Sequence, residues 1–194
     1  MYTPWGPSQS VEELADGIVT ISTAGHGGIK LDAARNRRMP EYMRRSGGWY
    51  EEDCEWCLPF VVFEDELLAG GDEHTAKAIR GGFHTRTLKN CFPDAYERYF
   101  HTVIPEGEST IKDERLFYQR HAHDYLVVAA FGDWHEKVPT GSVGVCARVG
   151  GRPGQGPERW FMIPAEEYGA SRYQFVVDPV RHPEIQSLSL KQEA

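Results

Sequence analysis

Asp16-Gly17-Ile18-Val19-Thr20-Ile21-Ser22-Thr23-Ala24-Gly25-His26-Gly27-Gly28-Ile29-Lys30-Leu31 is the stretch on which the reading of the fold turns. From Ile18 to Thr23 apolar and polar residues alternate, the period of a strand buried on one face. Asp16-Gly17 ahead of it is a type I′ turn signal, because that turn needs a left-handed backbone that few other pairs tolerate. Ser10–Leu14 then reads as the first strand of a β-hairpin over residues 10–31. Gly25 to Gly28 is a tight loop, and Ile29-Lys30-Leu31 a short return strand.

Downstream the period lengthens. Asp32 is a good N-cap for a helix over Ala33–Met39. Pro40 suits the first turn of a further helix through Arg45, stopped by Gly47-Gly48. Glu51 to Phe63 opens with acids, which favour a helix N-terminus. Its Trp56, Phe60 and Phe63 share a helical face, and Pro59 is expected to kink it. Helices are also predicted over Asp72–Asn90, weakened at Gly81-Gly82, over Asp94–His101 behind Pro93, and over Ser109–His123.

The last third returns to strand character. Tyr125–Phe131, Ser142–Val149, Trp160–Ile163 and Gln174–Val177 are strand candidates, with one helical turn at Pro164–Tyr168. Short strands between turn-rich loops predict an antiparallel meander. Gly150–Pro157, rich in glycine and proline, is expected to be an exposed loop, and the polar tail past Pro183 to fray. The fold class is α+β: an N-terminal β-hairpin, a central helical region and a C-terminal antiparallel β-meander. One domain over 1–184 and a polar tail over 185–194 are expected.

Composition narrows the function classes. Of 194 residues, 40% are apolar, which excludes a disordered chain. No apolar run, the six residues from Leu58 to Phe63 included, comes near the roughly 20 a membrane span needs. No basic segment followed by an apolar run marks a secretion signal, so the cytoplasm is the expected compartment. The net charge of −8 weighs against direct nucleic-acid binding, which depends on neutralising phosphates, and leaves open a partner with a basic surface.

Four groups of residues are candidates for chemistry or binding. His26, flanked by Gly25 and Gly27-Gly28, can be exposed and approached closely by a ligand, or can pack on a neighbouring strand. His121, His123 and Asp133 could join it in a small hydrolase or nucleic-acid-modifying site. Cys54 and Cys57 have the spacing of half a zinc site, which His84 and Cys91 could complete. Free cysteines among Trp49, Trp56 and Phe60 serve equally as small core hydrophobes. Finally, Trp49, Tyr50, Glu51, Glu52, Asp53 and Glu55 form an acidic, aromatic contact patch or a merely solvated face. No phosphate-binding, dinucleotide-binding or hydrolase signature is present, and no motif requires a cofactor. The balance leans to a binding protein over an enzyme.

Several stretches in order carry a resemblance. They are Thr3-Pro4-Trp5-Gly6-Pro7-Ser8-Gln9, Gly17-Ile18-Val19 leading into Ser22 to Gly28, Gly48 to Asp53, Leu88-Lys89-Asn90 with Pro93 to Glu97, Ala130 to Trp134, and Pro164 to Tyr168. Together they resemble an uncharacterised domain family of phage, plasmid and integrative-element proteins. The family lends no catalytic residue. The resemblance implies a mobile-element setting, whose small accessory proteins often counter host defence. On that basis the expected role is an inhibitor of the anti-CRISPR kind, whose acidic face covers a basic host nucleoprotein complex. A non-catalytic module of a larger mobile-element protein is the further alternative.

Overall fold

The computed structural model describes residues 2–169 and 174–188. The chain is mixed α+β and packs as two compact units, residues 1–113 and 114–194.

Unit 1 begins with strands β1 (Tyr2–Thr3) and β2 (Gly6–Pro7), paired antiparallel. Strands β3 (Ser10–Ala15), β4 (Ile18–Ser22) and β5 (Gly27–Leu31) follow, as the alternation predicts. Helix α1 (Ala33–Arg38) starts at Asp32, whose carboxylate accepts the Arg35 N–H at 2.7 Å. Three details differ from expectation. Gly17 has φ +73° but Asp16 is not left-handed, so the turn is not type I′, and a bulge between Glu13 and Ala15 absorbs the difference. Gly27-Gly28 belong to β5, so the loop is confined to Thr23–His26. Pro40 starts a single turn, with Met43 and Arg44 bonded to its carbonyl, and not a helix.

A fourth strand, β6 (Trp49–Glu51), completes a sheet of order β3-β4-β5-β6 where the acids had predicted a helix start. The following helix α2 (Cys57–Val62) begins six residues later than Glu51. That places Pro59 in the first turn, where its missing N–H costs nothing, so no kink is needed. Helices α3 (Glu64–Gly70), α4 (Glu73–Arg80), α5 (Phe83–Cys91) and α6 (Pro93–Phe100) complete the layer. Gly82, at φ +66°, divides the expected 72–90 helix into α4 and α5. The sheet's inner face (Leu14, Ile18, Ile29, Leu31, Tyr50) packs on Met39, Met43, Leu58, Phe63, Leu67 and Leu88. Helix α2 is buried from Cys57 through Val61, which makes it the centre of this core.

The division between units falls inside α7 (Thr110–Arg120). Unit 2 is an antiparallel sheet, built by β7 (Tyr125–Phe131), β8 (Ser142–Val149), β9 (Arg159–Pro164), helix α8 (Ala165–Tyr168), β10 (Val176–Val177) and β11 (Glu184–Ile185). Its order is β10-β7-β8-β9-β11. Val145, Ala147, Phe161 and Ile163 fill one face, Cys146 and Trp160 the other. The 150–157 loop is mostly exposed, but Gly151 is buried with Leu126 against it. The tail does not fray at once. Glu184-Ile185 pair with β9, Arg159 binds Glu184 and Leu188 is buried. Residues 189–194 of the expected tail lie outside the described residues.

Candidate functional site

The turn that presents His26 is closed by one side chain. Thr23 Oγ1 donates to the His26 carbonyl at 2.7 Å and accepts the His26 N–H at 3.2 Å. The imidazole is thereby left exposed, with Nδ1 3.7 Å from Glu52 Oε1. The two glycines that follow are there for close approach. A side chain at Gly27 would meet the Glu52 carboxylate, and one at Gly28 the Tyr50 carbonyl oxygen and the Trp5 ring. One ligand atom each from His26, Glu51 and Glu52 lies within 4.8 Å of the others, the one such group among the described residues, so these three could hold a cation.

Register explains what surrounds them. Along one end of the inner face, Leu14, Ile18 and Leu31 are apolar core. At the other end the cross-strand neighbours become small or polar: Glu12 opposite Thr20, and Ser22 opposite Gly27. These residues cannot fill the space beneath α2 and α4, and a cavity of about 660 Å³ remains. Its sheet wall carries Glu12, Thr20, Ser22 and Glu52, and its far wall Trp56, Phe60, His74, Lys77, Ala78 and Phe83. The size and the mixture of apolar wall with a few polar groups suit a small ligand or an inserted side chain. The Trp56 and Phe60 rings meet edge to face, centroids 5.0 Å apart.

The six residues expected to form a contact patch are separated by the strand. Trp49 and Glu51 alternate outward, and Trp49 stands edge-on to Trp5 with Lys30 over its ring. Tyr50 points inward and is fully buried; its hydroxyl donates to Asn36 Oδ1 at 2.8 Å and accepts the Arg45 N–H at 3.3 Å. Burial raises its phenol pKa. Glu55 is held by Arg45 at 2.5 Å and accepts the Glu51 N–H. Glu52 and Asp53 are exposed. The available acidic surface is therefore Glu51, Glu52 and Asp53, beside the cavity that Glu52 lines.

The candidate zinc set is brought together in part. Cys54 Sγ lies 2.7 Å from Cys91 Sγ, and Cys57 is fully buried beside them. His84 instead turns Nε2 to Glu64 at 3.2 Å. Burial, with Cys54 alongside, pushes the Cys91 thiol up to about 12, and burial raises Cys57 as well. The candidate catalytic set divides between units. His26 is in unit 1, and His121, His123 and Asp133 are in unit 2. His121 Nδ1 pairs with Asp124 at 2.7 Å and its ring rests on Phe117, while His123 and Asp133 are exposed.

A model of the family described as Domain of unknown function (DUF7007) matches residues 1–122. The chain belongs to this family. No match is found among the curated proteins or among the solved structures. The DUF7007 match covers all of unit 1 and the whole of α7, so the cavity, the His26 turn and the cysteine cluster lie within it. It stops short of the stretches at Ala130 to Trp134 and Pro164 to Tyr168. Sequence reading overlooked the cavity residues Glu12, Thr20, Ser22, His74 and Lys77. The available signal was the change from apolar to polar at matched positions of consecutive strands. Among the described residues no helix is long and apolar enough to cross a membrane.

Proposed function

We propose that this DUF7007 chain is a binding protein whose working surface is the acidic rim of the unit 1 cavity. The supporting observation is the pairing of Glu12 and Glu52 on the sheet wall with the Trp56 and Phe60 rings opposite. A lysine or arginine side chain entering there meets carboxylates and an aromatic wall together, a combination that favours a desolvated cation. His74 and Lys77 stand on the helical wall beside Asp72, so the preference for positive charge comes from Glu12 and Glu52 on the sheet side together with Asp72. The partner is a protein or nucleoprotein complex with a basic surface. In the mobile-element setting that the resemblance implies, it is a host defence complex of the CRISPR kind, whose nucleic-acid-binding face the acidic rim would cover. The DUF7007 match supports an uncharacterised family and leaves this biological role as our reading.

The test is a pull-down from nuclease-treated bacterial lysate with wild type and the double reversal Glu12→Lys/Glu52→Lys, followed by titration of the purified partner. A basic complex retained by wild type and bound about tenfold or more weakly by the variant supports the reading. Equal affinity of the two folded proteins removes the rim as the site. Filling the cavity with Ala78→Trp should likewise weaken binding without unfolding unit 1.

A second reading rests on His26, Glu51 and Glu52, whose ligand atoms cluster, with Glu52 alone of the three also lining the cavity. It makes unit 1 a metal-assisted enzyme in place of the set with His121, His123 and Asp133. Calorimetric titration with zinc or manganese separates the two: saturable binding lost in His26→Ala favours the enzyme, no heat favours the binding protein.

A further inference from the structure

Cys54 sits in the turn between β6 and α2, and Cys91 is the last residue of α5. They are 37 positions apart in sequence, yet their sulfurs are 2.7 Å apart. Both are half-buried, whereas Cys57, the nearest competitor, is fully buried. Cys91 also lines a second cavity, about 600 Å³, open to the surface between Asp53, Arg86 and Asn90. A small thiol reagent can therefore reach Cys91 through this cavity and Cys54 through its own half-exposed surface, but not the fully buried Cys57.

We propose that Cys54 and Cys91 are a modification site, a dithiol that forms a reversible disulfide by exchange with a small disulfide such as oxidised glutathione. The Cys54 thiolate attacks one sulfur of the reagent, forming a mixed disulfide and releasing one thiolate. Cys91 then gives up its proton and attacks Cys54 Sγ, and the second reagent thiolate leaves. Two thiols of the protein are oxidised and one reagent disulfide is reduced to two thiols, which carry off both protons. Burial raises the Cys91 thiol pKa, and the neighbouring Cys54 raises it further. The sulfurs stand 2.7 Å apart, and a bond requires ~2.05 Å together with a Cβ–S–S–Cβ dihedral of about ±90°.

The bond would tie the Glu52–Trp56 turn to α5. The turn carries two residues of the larger cavity, and α5 begins at a third, Phe83. Closing a long loop also restricts the unfolded chain, so oxidation should raise the thermal midpoint by roughly 5–10 °C.

The experiment uses the full chain and needs no binding partner, so it stands or falls separately from the proposed function. The folded protein is equilibrated with excess oxidised glutathione, quenched in acid, unfolded, alkylated and mapped by mass spectrometry. The expected result is a fall from four free thiols to two, with Cys54 and Cys91 joined within one monomer. Dithiothreitol should restore all four, and Cys91→Ser should leave Cys54 as a glutathione adduct. If Cys91→Ser fails to fold, Cys54→Ser is the alternative and should leave Cys57 and Cys146 unmodified. Four free thiols, a Cys54–Cys57 bond, a bond between two chains, or separate glutathione adducts on Cys54 and Cys91 would each overturn the proposal.

Discussion

Removing one oxygen atom distinguishes a core tyrosine from a contact tyrosine. In Tyr50→Phe the ring remains, so no cavity opens and the sheet keeps its packing against Met39 and Leu58. What is lost is a hydroxyl held by Asn36 Oδ1 at 2.8 Å and the Arg45 N–H at 3.3 Å. Asn36 is not passive, because its Nδ2 donates to the Arg45 carbonyl at 3.0 Å. The three groups together fasten the segment between α1 and β6 over the sheet. An unmet buried partner costs about 1–3 kcal/mol. The Arg45 bond is long and partly solvated, so the working figure is about 2 kcal/mol, or roughly 4–8 °C in thermal midpoint for a chain of this size. Urea unfolding followed by circular dichroism gives the stability change. Peptide-level hydrogen exchange over residues 36–50 should show the loss locally. A double-mutant cycle with Asn36→Ala should return a coupling of about 1 kcal/mol. Stability within ~0.3 kcal/mol of wild type, with unchanged exchange, would refute this account. Weakened partner binding without lost stability would return Tyr50 to the contact surface.

Other perturbations follow from equally local geometry. Gly28→Ala places a methyl against the Tyr50 carbonyl and 2.6 Å from the Trp5 ring, and should cost about 1–3 kcal/mol by thermal shift. Gly25→Ala, three positions earlier and with nothing within 4 Å, should be close to neutral; equal costs would contradict the packing described. Lys112 and the Ile104 N–H hold the Glu97 carboxyl below its ordinary value of about 4.5. A lowered folded pKa gives stability that is complete above the unfolded value and lost as pH falls through the folded one. Wild type should therefore lose more urea resistance than Glu97→Gln on acidification below about pH 4.5, and parallel curves would remove this contribution.

Legibility in the sequence followed the range of the forces at work. The three strands before Leu31, the Asp32 cap and the strands after Tyr125 are set by alternation and neighbouring side chains, and a reader of one sequence can see both. β6 was hidden because Glu51-Glu52-Asp53 imitate the acidic first turn of a helix. Pro59 held the counter-signal: a proline is comfortable in a first turn, which moves the helix start to Cys57 and frees Trp49–Glu51 to pair with β5. Once those three residues form a strand, period two sends Tyr50 inward and its neighbours outward, so the contact patch could not survive as a contiguous unit. The same alternation, carried across β3 and β4, sets Glu12 and Ser22 over space that larger apolar residues would have filled. Cys54 and Cys91 lie beyond any such local rule, because their meeting depends on how α2 packs against α5. The features argued for function thus arise where a local pattern is interrupted (polar residues on a core face) or where distant helices meet; a single sequence records the first faintly, and of the second it offered only Cys91 as one residue that could complete the Cys54–Cys57 pair.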